Sequence, residues 1–218
     1  AEHLRQAINT VLWTGDRYRF LTGPFGASDR QEALGNAYVL LFGVADETRG
    51  RAVLGAQTVM PAGVPAVWPD YPRYRKEGSA DFSRHAGTVW PQIQGMWADA
   101  AARRGDVAML WHELSQLAAH AVRDRQFAEI YHPLTGAVYG GLQERGGRGI
   151  GLWESQPRQS WAASAYLRML FSGVAGIEPS RQPGDEQVLP RRRPQEGLHL
   201  GARALDDEAR RQQATLSG

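Results

Sequence analysis

Six stretches of apolar residues at helical spacing, joined by connections that alternate between very short and very long, constrain this chain more than any other feature. The first runs through Leu4, Ala7, Ile8 and Val11, the second through Leu34, Ala37, Tyr38 and Leu41, and the third through Ala52, Val53, Ala56 and Val59. The fourth opens at TVWP, with Pro91 allowed in a first helical turn, and continues through Ile93, Met96, Trp97 and Ala100. The fifth carries Val107, Leu110, Trp111, Leu114, Leu117 and Ala121 on one stripe, and the sixth, WAASAYLRMLF over 161–171, is apolar nearly all round. One-sided helices belong outside and all-round apolar helices inside, so the series predicts outer, inner, outer, inner, outer, inner.

Inner to outer takes a few residues, at GVAD (43–46) and RRGD (103–106), where Asp46 and Asp106 are placed to cap the next helix. Outer to inner takes long segments of about 14–30, 61–89 and 124–158, which are uncommon in compact domains unless functional or disordered. Antiparallel hairpins then put all three long loops at one end. The expected fold class is all-α, with helical hairpins closing toward a ring rather than an open solenoid, since no repeat period is visible. Residues 1–178 form the expected helical domain, and 179–218 a polar, poorly ordered tail.

Composition narrows the function classes. With 218 residues and 42% hydrophobic content the chain can build one sizeable core but hardly two domains. A net charge of +2 argues against a nucleic-acid partner, and Arg191, Arg192 and Arg193 between two prolines read as a solvated linker rather than a phosphate patch. The absence of cysteine excludes disulfides and cysteine zinc sites without choosing a compartment. No apolar run approaches the ~20 residues a membrane helix needs. The chain begins AEHLRQAI, without a signal pattern, and localisation stays open.

The long loops carry the chemistry. In the second, prolines stiffen a backbone that bears Trp68, Tyr71, Tyr74 and Trp90, flat surfaces suited to stacking on a ligand or to sealing a core. His85, in RHAGTVWP, can serve a ligand hydroxyl or its own loop. In the third loop, FAEIYHPLTG (127–136) sets one carboxylate, Glu129, among Phe127, Ile130 and Tyr131, so Glu129 has either an unseen partner or a chemical role. A glycine-rich stretch with Trp153 follows; it lacks the Lys-Ser/Thr of a phosphate loop. Glu32 stands at the start of the second helix, where the helix dipole alone favours a carboxylate. No HExxH pattern and no GxSxG elbow occur, so no metal site, cofactor or serine nucleophile is expected.

These motifs resemble the C-terminal half of the six-hairpin glycosidases, a superfamily that includes glycogen-debranching amylo-α-1,6-glucosidases and family 63 glycoside hydrolases. RHAGTVWPQIQGMWADAAARRGD is similar to their His-x-Gly-Thr-x-Trp-Pro signature, FAEIYHPLTG to a Glu-x-Tyr/Phe-x-Pro-x-Thr-Gly segment, and QSWAASAYLRMLFSGVAGI to a closing Gln-x-Trp-Ser-Ala helix with Ala162 where Ser is usual. The resemblance implies part of an (α/α)6 barrel that hydrolyses an α-linked glycan with inversion, with Glu129 as general base. His85, Trp90, Trp68, Tyr131, Trp153 and Glu32 would hold the sugar. An inverting reaction also needs a carboxylic acid, and nothing here matches the motif that carries it in the N-terminal half. The acid then lies on a missing N-terminal half of the barrel, which would be a partner, or Asp29, Glu32 or Asp70 substitutes. The competing expectation is a non-catalytic carbohydrate-binding or helical scaffold fragment.

Overall fold

The computed structural model of the chain describes residues 1–24, 26–74, 81–178 and 187–188. Among them are six α-helices: α1 (Glu2–Val11), α2 (Ala33–Leu41), α3 (Glu47–Ala56), α4 (Pro91–Arg103), α5 (Val107–Asp124) and α6 (Ser160–Arg168). The caps are those the sequence marks: Asp46 accepts the Arg49 N–H, Asp106 accepts the Met109 N–H, and Pro91 opens α4. Helix α3 stops at Ala56, with Gln57 extended, so Val59 belongs to the loop. After α6 the chain widens into a π-helical stretch, Met169–Val174.

Helix α4 is the axis of the assembly. It packs against α2 on one side, α6 on the other and α5 behind. Its run of Ala98, Ala100, Ala101 and Ala102 is buried and lets all three neighbours approach closely, with the fully buried Trp97 filling the remaining space. At the α4–α6 contact Gly95 has no room for a side chain: a Cβ there would meet the Ala165 Cβ at 2.7 Å and its backbone at 3.0 Å. Asp99, with no exposed surface, draws Arg103 of its own helix (3.0 Å) and Arg168 of α6 (2.6 Å) onto one carboxylate.

Two expectations are corrected. The sixth helix is not buried: of α6 only Ala162 and Ala165 are inside, while Trp161, Leu167 and the following Phe171 are 41%, 47% and 54% exposed. Only one face of α6 is covered by α4, and its apolar residues reach round the helix beyond that face. Nor are the described residues strictly all-α. Four two-stranded antiparallel ladders occur: β1 (Leu21–Gly23) with β2 (Gly26–Ser28), β3 (Gln31–Glu32) with β4 (Val67–Trp68), β5 (Leu142–Glu144) with β6 (Ile150–Leu152), and β7 (Ile177–Glu178) with β8 (Gln187–Val188). The proline-rich second loop also contains one 3₁₀ turn, Pro72–Tyr74. Apart from β8, the expected polar tail over 179–218 lies outside the described residues.

The long loops do meet. Strands β3 and β4 tie the first to the second, and Val89 pairs with Tyr131 and Ser83 with Leu142 to tie the second to the third. Backbone groups freed from helices find their partners in one another, which is how long loops stay ordered.

Beneath the loops, Glu113 of α5 is fully buried, and both its oxygens accept the Val64 N–H, at 3.0 and 3.2 Å. Burial pushes its carboxyl from an ordinary 4.5 up to about 8. The folded chain therefore keeps a proton that the unfolded chain releases, and stability that is complete below the ordinary value is lost as pH rises through the folded one. Melting temperature should fall from about pH 5 to about pH 9, and Glu113→Gln should flatten that fall; thermal melts followed by circular dichroism measure it. Gly95→Ala should destabilise by about 1–2 kcal/mol, overpacking outweighing better helix propensity. Gly55→Ala in α3, where a Cβ meets nothing within 4 Å, should instead stabilise by up to about 1 kcal/mol. Denaturant titration of the two variants distinguishes a tight α4–α6 seam from a loose one.

Candidate active site

Glu129 lies in the third loop on a segment held from both sides. Its N–H donates to the Gln156 carbonyl at 2.9 Å, and the next residue, Ile130, both donates to and accepts from the Ser155 hydroxyl at 2.9 Å. Ala128 and Ile130 are fully buried, so the side chain between them has a fixed origin. Its partner is Arg84 of the second loop, whose Nη2 donates to Glu129 Oε2 at 2.7 Å. The Gln156 N–H reaches the same oxygen at 3.1 Å. Oε1 has no hydrogen-bond partner among the described residues. Both side chains of the pair are close to one-tenth exposed.

Arg84 in turn is held by Trp90. Its guanidinium lies 5.5 Å from the Trp90 ring centre, and the Trp90 indole N–H donates to the Arg84 carbonyl at 2.8 Å. The exposed His85 imidazole stacks on Trp90 at 5.6 Å and 22°. Partial burial, with the Arg84 charge beside it, lowers the His85 pKa below its ordinary value, and a hydrogen bond with the Gln143 side chain opposes this. Trp161 at the start of α6 stands 6.5 Å from Trp90 with 41% of its surface exposed. An open depression of about 800 Å³ adjoins the pair, lined by Gln143, Arg145, Arg148, Trp153 and Gln156 among others. Glu129 itself does not line it; Gln156, the second donor to its carboxylate, does.

Of the residues singled out in the sequence, Glu129, His85 and Trp90 are brought together around Arg84, and Trp153 stands at the adjoining depression, 43% exposed. The others are elsewhere. Tyr131 is fully buried, its hydroxyl accepting the Ala128 N–H and its ring 4.7 Å from His120, so it has no surface to offer a sugar. Trp68 is half-buried, paired with Gln31 and 6.4 Å from Phe82. The Glu32 carboxylate accepts the Leu34 and Gly35 N–H groups and so caps α2; burial raises its pKa. Asp70 accepts from the N–H groups of Tyr71, Ser83 and Gly87 and from the Ser83 hydroxyl, and Asp29 is an exposed partner of Arg19.

Arg84, Gln143, Gln156 and Trp161 were not singled out. Arg84 carries a signal that could have found it, since it stands at the head of a motif otherwise short of charge, as Glu129 does in its own. The glycines after Glu129 serve this packing: Gly141, at φ +78°, lies directly against the Arg84 backbone, and a Cβ on Gly140 would collide with the Trp153 carbonyl. Among the described residues no group of three His, Cys, Asp or Glu could hold a metal ion, and no helix is long and apolar enough to cross a membrane.

Residues 1–162 match the family model of the mannosylglycerate hydrolase MGH1-like glycoside hydrolase domain. No curated protein sequence matches the chain. Among solved structures, a sialidase aligns with 84% of the chain at 16% identity and a TM-score of 0.61, a likeness of fold alone. An uncharacterized conserved protein from Thermus thermophilus aligns with 67% of it at 19% identity and a TM-score of 0.45. The chain spans 17% of the sialidase and 33% of the Thermus thermophilus protein. With the motifs in order, the helices in place and three quarters of its length matched, the chain belongs to the MGH1-like glycoside hydrolase domain family.

Proposed function

We propose that the chain forms part of the catalytic domain of a glycoside hydrolase that cleaves an α-linked glycoside with inversion, Glu129 being the general base. The observation that supports this reading is the asymmetry of the Glu129 carboxylate: two donors hold Oε2, and Oε1 has no hydrogen-bond partner among the described residues. A purely structural Arg–Glu pair gains from engaging both oxygens. A base needs one lone pair free to take a proton from water and a side chain that cannot turn away. His85, Trp90, Trp153 and Trp161 supply a stacking surface and a ring nitrogen for sugar hydroxyls.

The family name suggests the substrate to try first, mannosylglycerate, a mannoside whose leaving group carries a carboxylate. Inversion requires a protonated carboxyl about 6.5–9.5 Å from the base. Asp70 and Glu32 are engaged by backbone donors and Asp29 by Arg19, so the acid is assigned to the remainder of an (α/α)6 barrel. That remainder is the partner the exposed faces of α2 and α6 would pack against.

In the full-length protein, Glu129→Gln should lower kcat on mannosylglycerate by about 10³-fold while the Kd for the sugar stays within about threefold. Steady-state kinetics and isothermal titration calorimetry read the two quantities. A variant that keeps more than about a tenth of the activity removes Glu129 from the base's role. Binding without turnover by the unmodified protein favours a carbohydrate-binding module instead.

A further inference from the structure

We infer that Arg84 is the positioning residue of this site: it decides which oxygen of Glu129 faces the reactant and holds it there, without itself touching the sugar. The inference rests on Glu129 being the base.

Every hydrogen-bonding direction of Arg84 that the structure shows ends on protein. Nη2 takes Glu129 Oε2 at 2.7 Å, and Nη1 takes the Gly140 carbonyl at 2.8 Å and the Glu154 carbonyl at 3.2 Å. Its backbone is equally fixed. The N–H donates to Leu142 O at 2.9 Å, and the carbonyl accepts the Thr88 hydroxyl at 2.6 Å and the Trp90 indole at 2.8 Å. A planar guanidinium anchored at three acceptors cannot rotate without breaking bonds inside a nearly closed space, and a carboxylate bound to it inherits that orientation.

The consequence is chemical. A free carboxylate exchanges its two oxygens by rotation about Cγ–Cδ. Here Arg84 and the Gln156 N–H converge on one oxygen, so the other is the one presented to a water molecule. Displacing a reacting group by about 1 Å can cost on the order of 10² in rate. A lysine could reach Oε2 but could not also span the carbonyls of Gly140 and Glu154 in one plane.

The test is a double-mutant cycle in turnover of mannosylglycerate by the full-length protein, with melting temperature as the control for folding. Arg84→Gln should lower kcat by about 10²-fold with KM within about threefold, and Arg84→Lys should recover about tenfold of that loss. In the Glu129→Gln background, Arg84→Gln should change the residual rate by less than about threefold, because its effect passes through Glu129. If Arg84→Gln does not fold, Arg84→Lys carries the test: about a tenfold loss of kcat at unchanged KM supports the inference, and full kcat overturns it. An equal loss in both backgrounds, or Lys no better than Gln, shows a merely structural role and overturns it. Glu129→Gln inactive with Arg84→Gln fully active defeats this inference and leaves the base standing. Glu129→Gln fully active, or no turnover by the unmodified protein, defeats both.

Discussion

The Arg84–Glu129 ion pair is the interaction on which the loop end of the molecule depends. Desolvating two opposite charges costs several kcal/mol each, and their mutual attraction alone repays this only when the remaining donors and acceptors are also used. Around Arg84 they are: its guanidinium reaches Glu129, the Gly140 carbonyl and the Glu154 carbonyl in the segment that leads to α6. One buried cation thus ties together segments that have no helix of their own. Removing either partner would leave the other's charge unpaired at a position only about one-tenth exposed.

The helices supply the floor. Alanine-rich α4 lets α2, α5 and α6 crowd against it, and glycine at 95 brings α6 close enough for Arg168 to reach Asp99. This fixes where α6 begins, and with it Trp161 beside Trp90. The route from sequence to site runs through packing, since the small side chains that make the floor dense also set the lateral position of the aromatic wall above it.

Much of this was legible in the chain. Helix starts announced themselves through Asp46, Asp106 and Pro91, and the alternation of short and long connections foretold that three loops share one end. Glu129 stood out because burial of Ala128 and Ile130 was visible in their apolarity. What stayed hidden needed tertiary information. Arg84 heads a motif otherwise short of charge, which marks the residue but not its partner 45 residues away. Tyr131 has the composition of a binding-site aromatic, but the distinction between wall and core lies in whether His120 covers it. The exposure of α6 follows from how many neighbours it has, which periodicity does not report. The small ladders are two or three residues long, below any pattern that alternation can reveal.

The bracket between Glu129 and Gln156 has a consequence for how such a site can be moved or inherited. The carboxylate is oriented by a segment 27 residues downstream and a guanidinium 45 residues upstream, neither within the motif that names it. FAEIYHPLTG is therefore not a portable cassette. Transplanted into another helical scaffold it would bring an anion without the two donors that give it a direction, so the unit that evolution or a designer must copy whole is the closure of the second loop on the third.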